Sequence, residues 1–272
     1  MLTVRLMENK VTILGARGSV PVSGECFVRY GCATTCFAVE MGGDTVLIDA
    51  GTGILNLPQE ILRKPEVKML LTHAHFDHLA GLPMCPYLFQ PDVNLHLYSA
   101  KRDGLTAKSF VKRVFSPPLW PVEPEELPGK ITFHDLNRSM QLGAIHVDTM
   151  EGLHPGGVSL FRLTCGEHCV VIITDCTITD EQLPVLAEFA KDCDLLLCDG
   201  QYSEGEWVNR SEFGHSTWAS AADLYRSSGA KAARIVHHDP DHTDSELDAA
   251  AGDLLSRYPH CGFAREGEVI YL

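Results

Sequence analysis

The sequence predicts an α/β chain in which two β-sheets pack face to face and helices cover their outer faces. Two observations lead there. Strand-like segments rich in β-branched and apolar residues come in two successive series, and the few helical runs fall among or after them. In the first half the strands are expected at 11–14, 35–40, 45–49, 67–72, 93–98 and 131–134, punctuated by Gly, Pro and Asp. After Pro155 a second series follows at 158–163, 170–174, 195–198, 234–236 and 268–271. Two helices interrupt it. One covers 180–191 with Asp180 as the expected N-cap, and the other covers 217–227 and closes at Gly229. The segment 116–128, SPPLWPVEPEELP, breaks regular structure but carries Trp120, so it reads as an ordered loop or lid, with a plain linker as the alternative.

Composition bounds the function. The 272 residues are 45% apolar and 21% charged, and 22 Lys+Arg against 36 Asp+Glu leave a net charge of −14. This is the composition of a folded chain, and its length suits one domain over 1–272, with a candidate lid at 101–128. Such acidity opposes a phosphate backbone, so no large nucleic acid is expected as a partner. The N-terminus mixes Arg5, Glu8, Asn9 and Lys10 among apolar residues and lacks the pattern of a signal peptide. No apolar run approaches the length of about 18 residues that spans a bilayer, so a cytoplasmic protein without membrane contact is expected. The ten cysteines are dispersed, and only Cys32-x3-Cys36 and Cys165-x3-Cys169 are close pairs. They are expected to be reduced and mostly buried.

The chemistry is concentrated in His73-Ala-His75-Phe-Asp77-His78, directly after the apolar segment 69–72. A strand end feeding a turn lets imidazoles and a carboxylate converge, whereas these three histidines would not share one face of a helix. Imidazole and carboxylate suit zinc, manganese and iron. One ion needs roughly three or four protein ligands, so further ligands downstream imply two ions. His154, Asp175 and His237 answer that description, each at a strand end or in the adjoining loop. Singly, a loop histidine is more often solvated and a strand-end Asp more often a cap. The three together are the signal.

His-x-His-x-Asp-His followed by a separate His, Asp and His resembles the metallo-β-lactamase superfamily. The resemblance runs from about Gly15, through Leu47-Ile-Asp-Ala-Gly-Thr-Gly53, to His237. It implies a four-layer αββα sandwich of two mixed β-sheets flanked by helices. It also implies that His73, His75 and His154 hold one divalent metal, that Asp77, His78 and His237 hold the other, and that Asp175 bridges them. Zn2+ or Mn2+ would fill the sites, with Fe as an alternative, and Asp49 would support the motif from behind. His238 and His242 lie close to His237 in sequence, and His237 is favoured as the ligand. The segment Gly214-His215-Ser216-Thr217 resembles the His-Ser-Thr segment of the tRNase Z branch, where that His acts on the phosphate supported by an acidic residue on the preceding strand. His215 and Asp199 occupy those places.

The branch implies hydrolysis of a phosphodiester by a metal-bridging hydroxide that Asp77 orients. The tRNA-processing members carry an extended basic arm, and no such insertion is found here. The nearest basic run, 101–113, reads as a solvated helix face or as a lid attracting one or two phosphates. What remains is similar to the small cyclic-phosphate phosphodiesterases, including the phosphoribosyl cyclic phosphodiesterase, so a small cyclic or nucleotide phosphodiester is the expected substrate. Hydrolysis of a thioester or lactone, and a non-catalytic metal- or ligand-sensing module, are the rival readings. The turn Gly15-Ala-Arg-Gly18-Ser19 is a further candidate for anion contact through backbone N–H groups. In Tyr30-Gly-Cys-Ala-Thr-Thr-Cys36 the chain departs from the Gly-Gly-Asn-Thr of many relatives. The sequence leaves the choice between monomer and homodimer open.

Overall fold

In a strand whose two faces are both covered, odd and even side chains must both be apolar, and the segments 36–39, 169–173 and 195–198 of this chain have that character. The structure, a computed structural model, describes residues 8–272. The reading of the N-terminus as leaderless rests partly on residues 1–7, which lie outside the described residues. The chain first lays down β1 (Lys10–Gly15), β2 (Cys36–Met41), β3 (Asp44–Ile48), β4 (Glu66–Leu71), β5 (Asn94–Ser99) and β6 (Lys130–Asp135). It then builds β7 (Ser139–Leu142), β8 (Ile145–Gly152), β9 (Val158–Cys165), β10 (His168–Ile173), β11 (Leu195–Asp199), β12 (Ala232–Val236) and β13 (Cys261–Phe263). Finally β14 (Val269–Tyr271) returns to pair antiparallel with β1. Two seven-stranded sheets result, ordered β14-β1-β2-β3-β4-β5-β6 and β13-β12-β11-β10-β9-β8-β7. Both are mixed: β3 to β6 run parallel in the first, as do β10 to β13 in the second.

The pleat sorts the core into three layers. Leu70 of β4 meets Val170 and Ile172 of β10 and Leu195 and Leu197 of β11 between the sheets. Val67, Met69 and Leu71 point the other way, toward Ile61 of helix α1 (Gln59–Leu62) and Phe110 and Val111 of α2 (Ala107–Val114). On the second sheet Val171, Ile173 and Leu196 face α3 (Leu183–Phe189), α5 (Trp218–Ser228) and α6 (Asp244–Arg257), while α4 (Glu204–Trp207) is a single turn. This is the expected four-layer αββα sandwich. Side-chain caps start the longer helices. Thr217 Oγ1 accepts from Ser220 N at 3.1 Å, and Gly229 ends α5 at φ 70°.

Several elements depart from expectation. The second sheet begins at β7, before Pro155. Its strands β7 and β8 escaped the sequence reading because their exposed or half-exposed residues weaken the apolar pattern. The three-residue β13 is too short to show one. The helix α3 opens at Leu183, and Asp180 does not cap it; the Thr179 carbonyl accepts from Leu183 N at 2.9 Å instead. The Pro-rich segment is a loop with one 3-10 turn over Pro124–Glu126, and Trp120 packs on the helix-side core of the first sheet. All ten cysteines are free and seven are buried. No helix among the described residues is long and apolar enough to cross a membrane.

Candidate metal centre

Where a parallel strand ends, its loop is free to turn side chains into the crevice beyond the carboxyl edge of the sheet. After Leu71 of β4 the chain runs on as Thr72-His73-Ala74-His75, extended at His75, and then tightens into a 3-10 turn over Phe76–His78. From the facing sheet come His154 in the loop after β8, Asp175 after β10 and His237 after β12. Asp49, Asp175 and His237 leave their strands with φ of 60°, 54° and 64°. These left-handed conformations cost non-glycine residues roughly 1 kcal/mol or more each, a strain typical of functional loops.

The predicted ligands meet in two groups. His73, His75 and His154 offer ring nitrogens within 4.8 Å of one another, and so do Asp77, His78, Asp175 and His237 with theirs and their carboxylate oxygens. Asp175 Oδ1 lies 3.1 Å from His78 Nε2, 3.0 Å from His237 Nε2 and 3.8 Å from His73 Nε2, so it borders both groups. Asp77 Oδ2 lies 3.3 Å from His78 Nε2 and 3.2 Å from His237 Nε2. Of the three adjacent candidates, only His237 enters. His238 is turned away, with Nε2 2.9 Å from the Ala264 carbonyl and its ring edge-on to Tyr30 and Phe263. His242 lies 2.9 Å from Glu206 and packs on Trp218.

The partners behind these rings prepare them for a cation. The Thr72 hydroxyl donates to Asp49 Oδ2 at 2.8 Å, so it is left to accept from His73 Nδ1 at 2.9 Å. His73 Nε2 then carries a lone pair, and it is buried with no hydrogen-bond partner among the described residues. His78 Nδ1 is held by Asp49 Oδ2 at 2.7 Å, His154 Nδ1 by the Gly214 carbonyl at 2.9 Å, and His237 Nδ1 by Gln201 Oε1 at 3.1 Å. Each contact turns Nε2 toward the cluster, the arrangement by which outer partners orient metal-ligating histidines. The residues therefore fit divalent metal.

Electrostatics agrees. Burial keeps His73, His75 and His154 below the ordinary histidine value and hence neutral, with lone pairs available. Burial acts the same way on His78 and His237, but Asp175 and Asp77 outweigh it, raising His78 well above the ordinary value and His237 to about 10. Without metal these two rings hold protons between carboxylates. A cation would take the protons' place.

Other predicted residues border the cluster. His215 is buried, stacks on His237 with ring centroids 4.6 Å apart and has Nδ1 2.9 Å from Asp199 Oδ2. Asp199, the last residue of β11, also accepts from Asp175 N at 3.0 Å and Ser216 N at 2.8 Å.

In the turn at 15–19 three N–H groups are engaged within the protein, Arg17 N on the Ala33 carbonyl, Gly18 N on that of His238 and Ser19 N on Asp77 Oδ2 at 2.8 Å. Its Gly18 serves packing: a Cβ there would sit 2.2 Å from His237 Nδ1. In the segment that departs from Gly-Gly-Asn-Thr, the Thr34 hydroxyl donates to the Asp77 carbonyl at 2.7 Å.

Sequence reasoning missed Thr72, Gln201 and Thr34 as supports of the cluster and took Ser19 only as part of the turn after β1. The available signal for the first three was position, one or two residues from a strand end or a predicted ligand.

Known proteins resemble this chain in sequence and in fold. The chain is 24% identical over 245 residues to a probable metallo-hydrolase, YhfI of Bacillus subtilis (strain 168), covering 84% of this chain and 86% of the relative. The crystal structure of YhfI superposes with a TM-score of 0.72 at 19% identity, covering 97% of this chain and 100% of that one. A Ribonuclease Z of Pyrococcus furiosus is 25% identical over 264 residues, covering 80% and 84%. A diphosphatase of the PhnP family superposes with a TM-score of 0.71 at 18% identity, covering 97% and 98%. The family model described as Beta-lactamase superfamily domain matches residues 44–238, well over half of the chain. With the αββα layers and the His/Asp cluster at the mouth of the sheets, that match places the chain in the β-lactamase superfamily.

Proposed function

We propose that this chain is a metal-dependent hydrolase acting on a small cyclic or nucleotide phosphodiester. His73, His75 and His154 would hold one divalent ion and Asp77, His78 and His237 the other, with Asp175 between them. The ions supply Lewis acidity toward phosphoryl oxygens and an acidified water at neutral pH. Asp77, fixed by the Ser19 N–H, orients the attacking water. His215, held through Nδ1 by Asp199, presents its other ring nitrogen to a phosphoryl oxygen or to the departing alkoxide.

The observation that carries this reading is the Asp199–His215 pair stacked against the ligand cluster, because a phosphodiester has a second non-bridging oxygen for such a donor, which the acyl group of a thioester or lactone lacks. The relatives named Ribonuclease Z favour a second reading, an RNA substrate. The charge of −14 opposes it.

Metal-assayed protein should hydrolyse bis(p-nitrophenyl) phosphate faster than a p-nitrophenyl thioester, and His215→Ala should abolish that preference. Cleavage of a precursor tRNA at comparable efficiency would transfer the assignment to RNA. Metal-replete protein inert toward all three would leave a metal- or ligand-sensing module.

A further inference from the structure

A cavity of about 270 Å³ opens beside His73 and His75. Leu79, Leu105, Phe110 and Val114 give it an apolar wall, and Gly156 and Gly157 of the turn after His154 close the other side. Two arginines of the 101–113 run also line it, and they are not equivalent. Arg102 is committed. Both its terminal nitrogens are held by Glu151, one of them at 3.0 Å, and Nη2 also donates to Ser159 Oγ at 2.9 Å. A Cβ on Gly157 would lie 2.2 Å from Arg102 Nη1, so the glycine turn is shaped around that guanidinium.

Arg113 is uncommitted. Its neighbours Lys108 and Lys112 turn to Glu123 and Glu125 of the Pro-rich loop, at 3.4 to 3.8 Å. Among the described residues no carboxylate lies within 4.0 Å of the Arg113 guanidinium. Asp103 is the one carboxylate of the lining among the described residues, suited to accept a hydrogen bond from a hydroxyl and hostile to an anion placed against it.

We infer that this cavity is a subsite for the part of the substrate that is not cleaved, taking a compact organic body of about one nucleoside that carries a second anionic group, which Arg113 receives. The inference rests on the proposed function for the position of the scissile phosphate beside the histidines. The volume of about 270 Å³ is close to the lower end of the roughly 300–1,000 Å³ of small-ligand sites, which leaves room for one such unit. The apolar wall takes the flat or aliphatic face of the body, and Asp103 takes a sugar hydroxyl. A charge-assisted hydrogen bond from a guanidinium to a phosphate supplies the selectivity. The basic run is thus divided: its lysines anchor the Pro-rich loop, Arg102 braces the glycine turn, and Arg113 remains for ligand.

The test measures binding and turnover separately on the metal-loaded protein. Calorimetry compares thymidine 3′,5′-bisphosphate with thymidine 5′-monophosphate for the wild type, Arg113→Gln and Lys112→Gln. The expected result is tighter binding of the bisphosphate by about ten-fold or more, with that preference lost in Arg113→Gln and kept in Lys112→Gln, which makes the same charge change outside the cavity. No preference in the wild type, or equal loss in both variants, overturns the subsite. The p-nitrophenyl ester of thymidine 5′-phosphate, with and without a 3′-phosphate, reports on turnover. A protein that discriminates in binding but cleaves neither ester refutes the phosphodiesterase reading and leaves the subsite standing.

Discussion

Asp199 ties the two sides of the centre together: one oxygen, Oδ2, accepts the backbone N–H of Asp175 at 3.0 Å and lies 2.9 Å from His215 Nδ1. One side chain therefore positions a ligand loop and the imidazole beside it. His215→Ala should lower kcat on bis(p-nitrophenyl) phosphate by about 100-fold or more with bound metal unchanged. Asp199→Ala should lower both metal content and kcat, because Asp175 loses its backbone anchor. Metal analysis alongside steady-state kinetics separates the two, and a His215→Ala enzyme of normal kcat would remove that residue from the reaction.

Asp77 takes part in more contacts than a ligand alone requires. Its carboxylate meets His78, His237 and the Ser19 N–H, and its carbonyl receives Thr34. Asp77→Ala should leave a folded chain with reduced metal and turnover lowered by several orders of magnitude. Circular dichroism and metal stoichiometry check the first half of that statement, and residual hydrolysis checks the second.

The adjacent histidines make opposite predictions. His237→Ala should lose bound metal while remaining folded. His238→Ala should keep metal but lose stability, by roughly 1–3 kcal/mol, since it removes a buried ring packed between Tyr30 and Phe263. Gly18→Ala, far away in sequence, should mimic the first class by pushing a methyl group into the His237 ring. Urea unfolding and metal retention on the three variants give the order, and the reverse order would show the wrong histidine was assigned.

The metal-free protein should be sensitive to alkali. His237 rises from the ordinary 6.5 to about 10 in the folded chain. Its stabilising contribution is therefore complete below about pH 6.5 and is lost as the pH climbs toward 10. Asp77 and Asp175 are held below the ordinary carboxylate value: burial opposes this, but the facing His78 and His237 outweigh it. Their contribution is present above about pH 4 and is lost on acidification. Chelated protein should thus show a falling urea midpoint between pH 7 and pH 10, and metal should abolish that fall because the cation replaces the protons. Parallel curves with and without metal would contradict the protonated pair.

Because local rules act over a few residues, the amino-acid sequence determined by itself where the apolar strands lie, that both of their faces are buried, and that ligand-type residues stand at their ends. His73, His75, Asp77 and His78 were legible for that reason, crowded into one turn after β4. The elements that went unread are those whose pattern is diluted by exposure or shortness, such as β7, β8 and β13, and α6, whose alanines and acidic residues show only a weak apolar stripe.

Only the tertiary structure decided that His237 rather than His238 faces the cluster, since neighbouring residues point to opposite sides and a left-handed backbone at His237 selects which one turns inward. It alone brought Gln201 and Thr72 behind the rings, turned Ser19 of the 15–19 loop onto Asp77, and placed Arg113 beside the cavity. These are contacts between segments distant along the chain. They are set by how the two sheets stack, a relationship to which a local stretch of sequence contributes only one side.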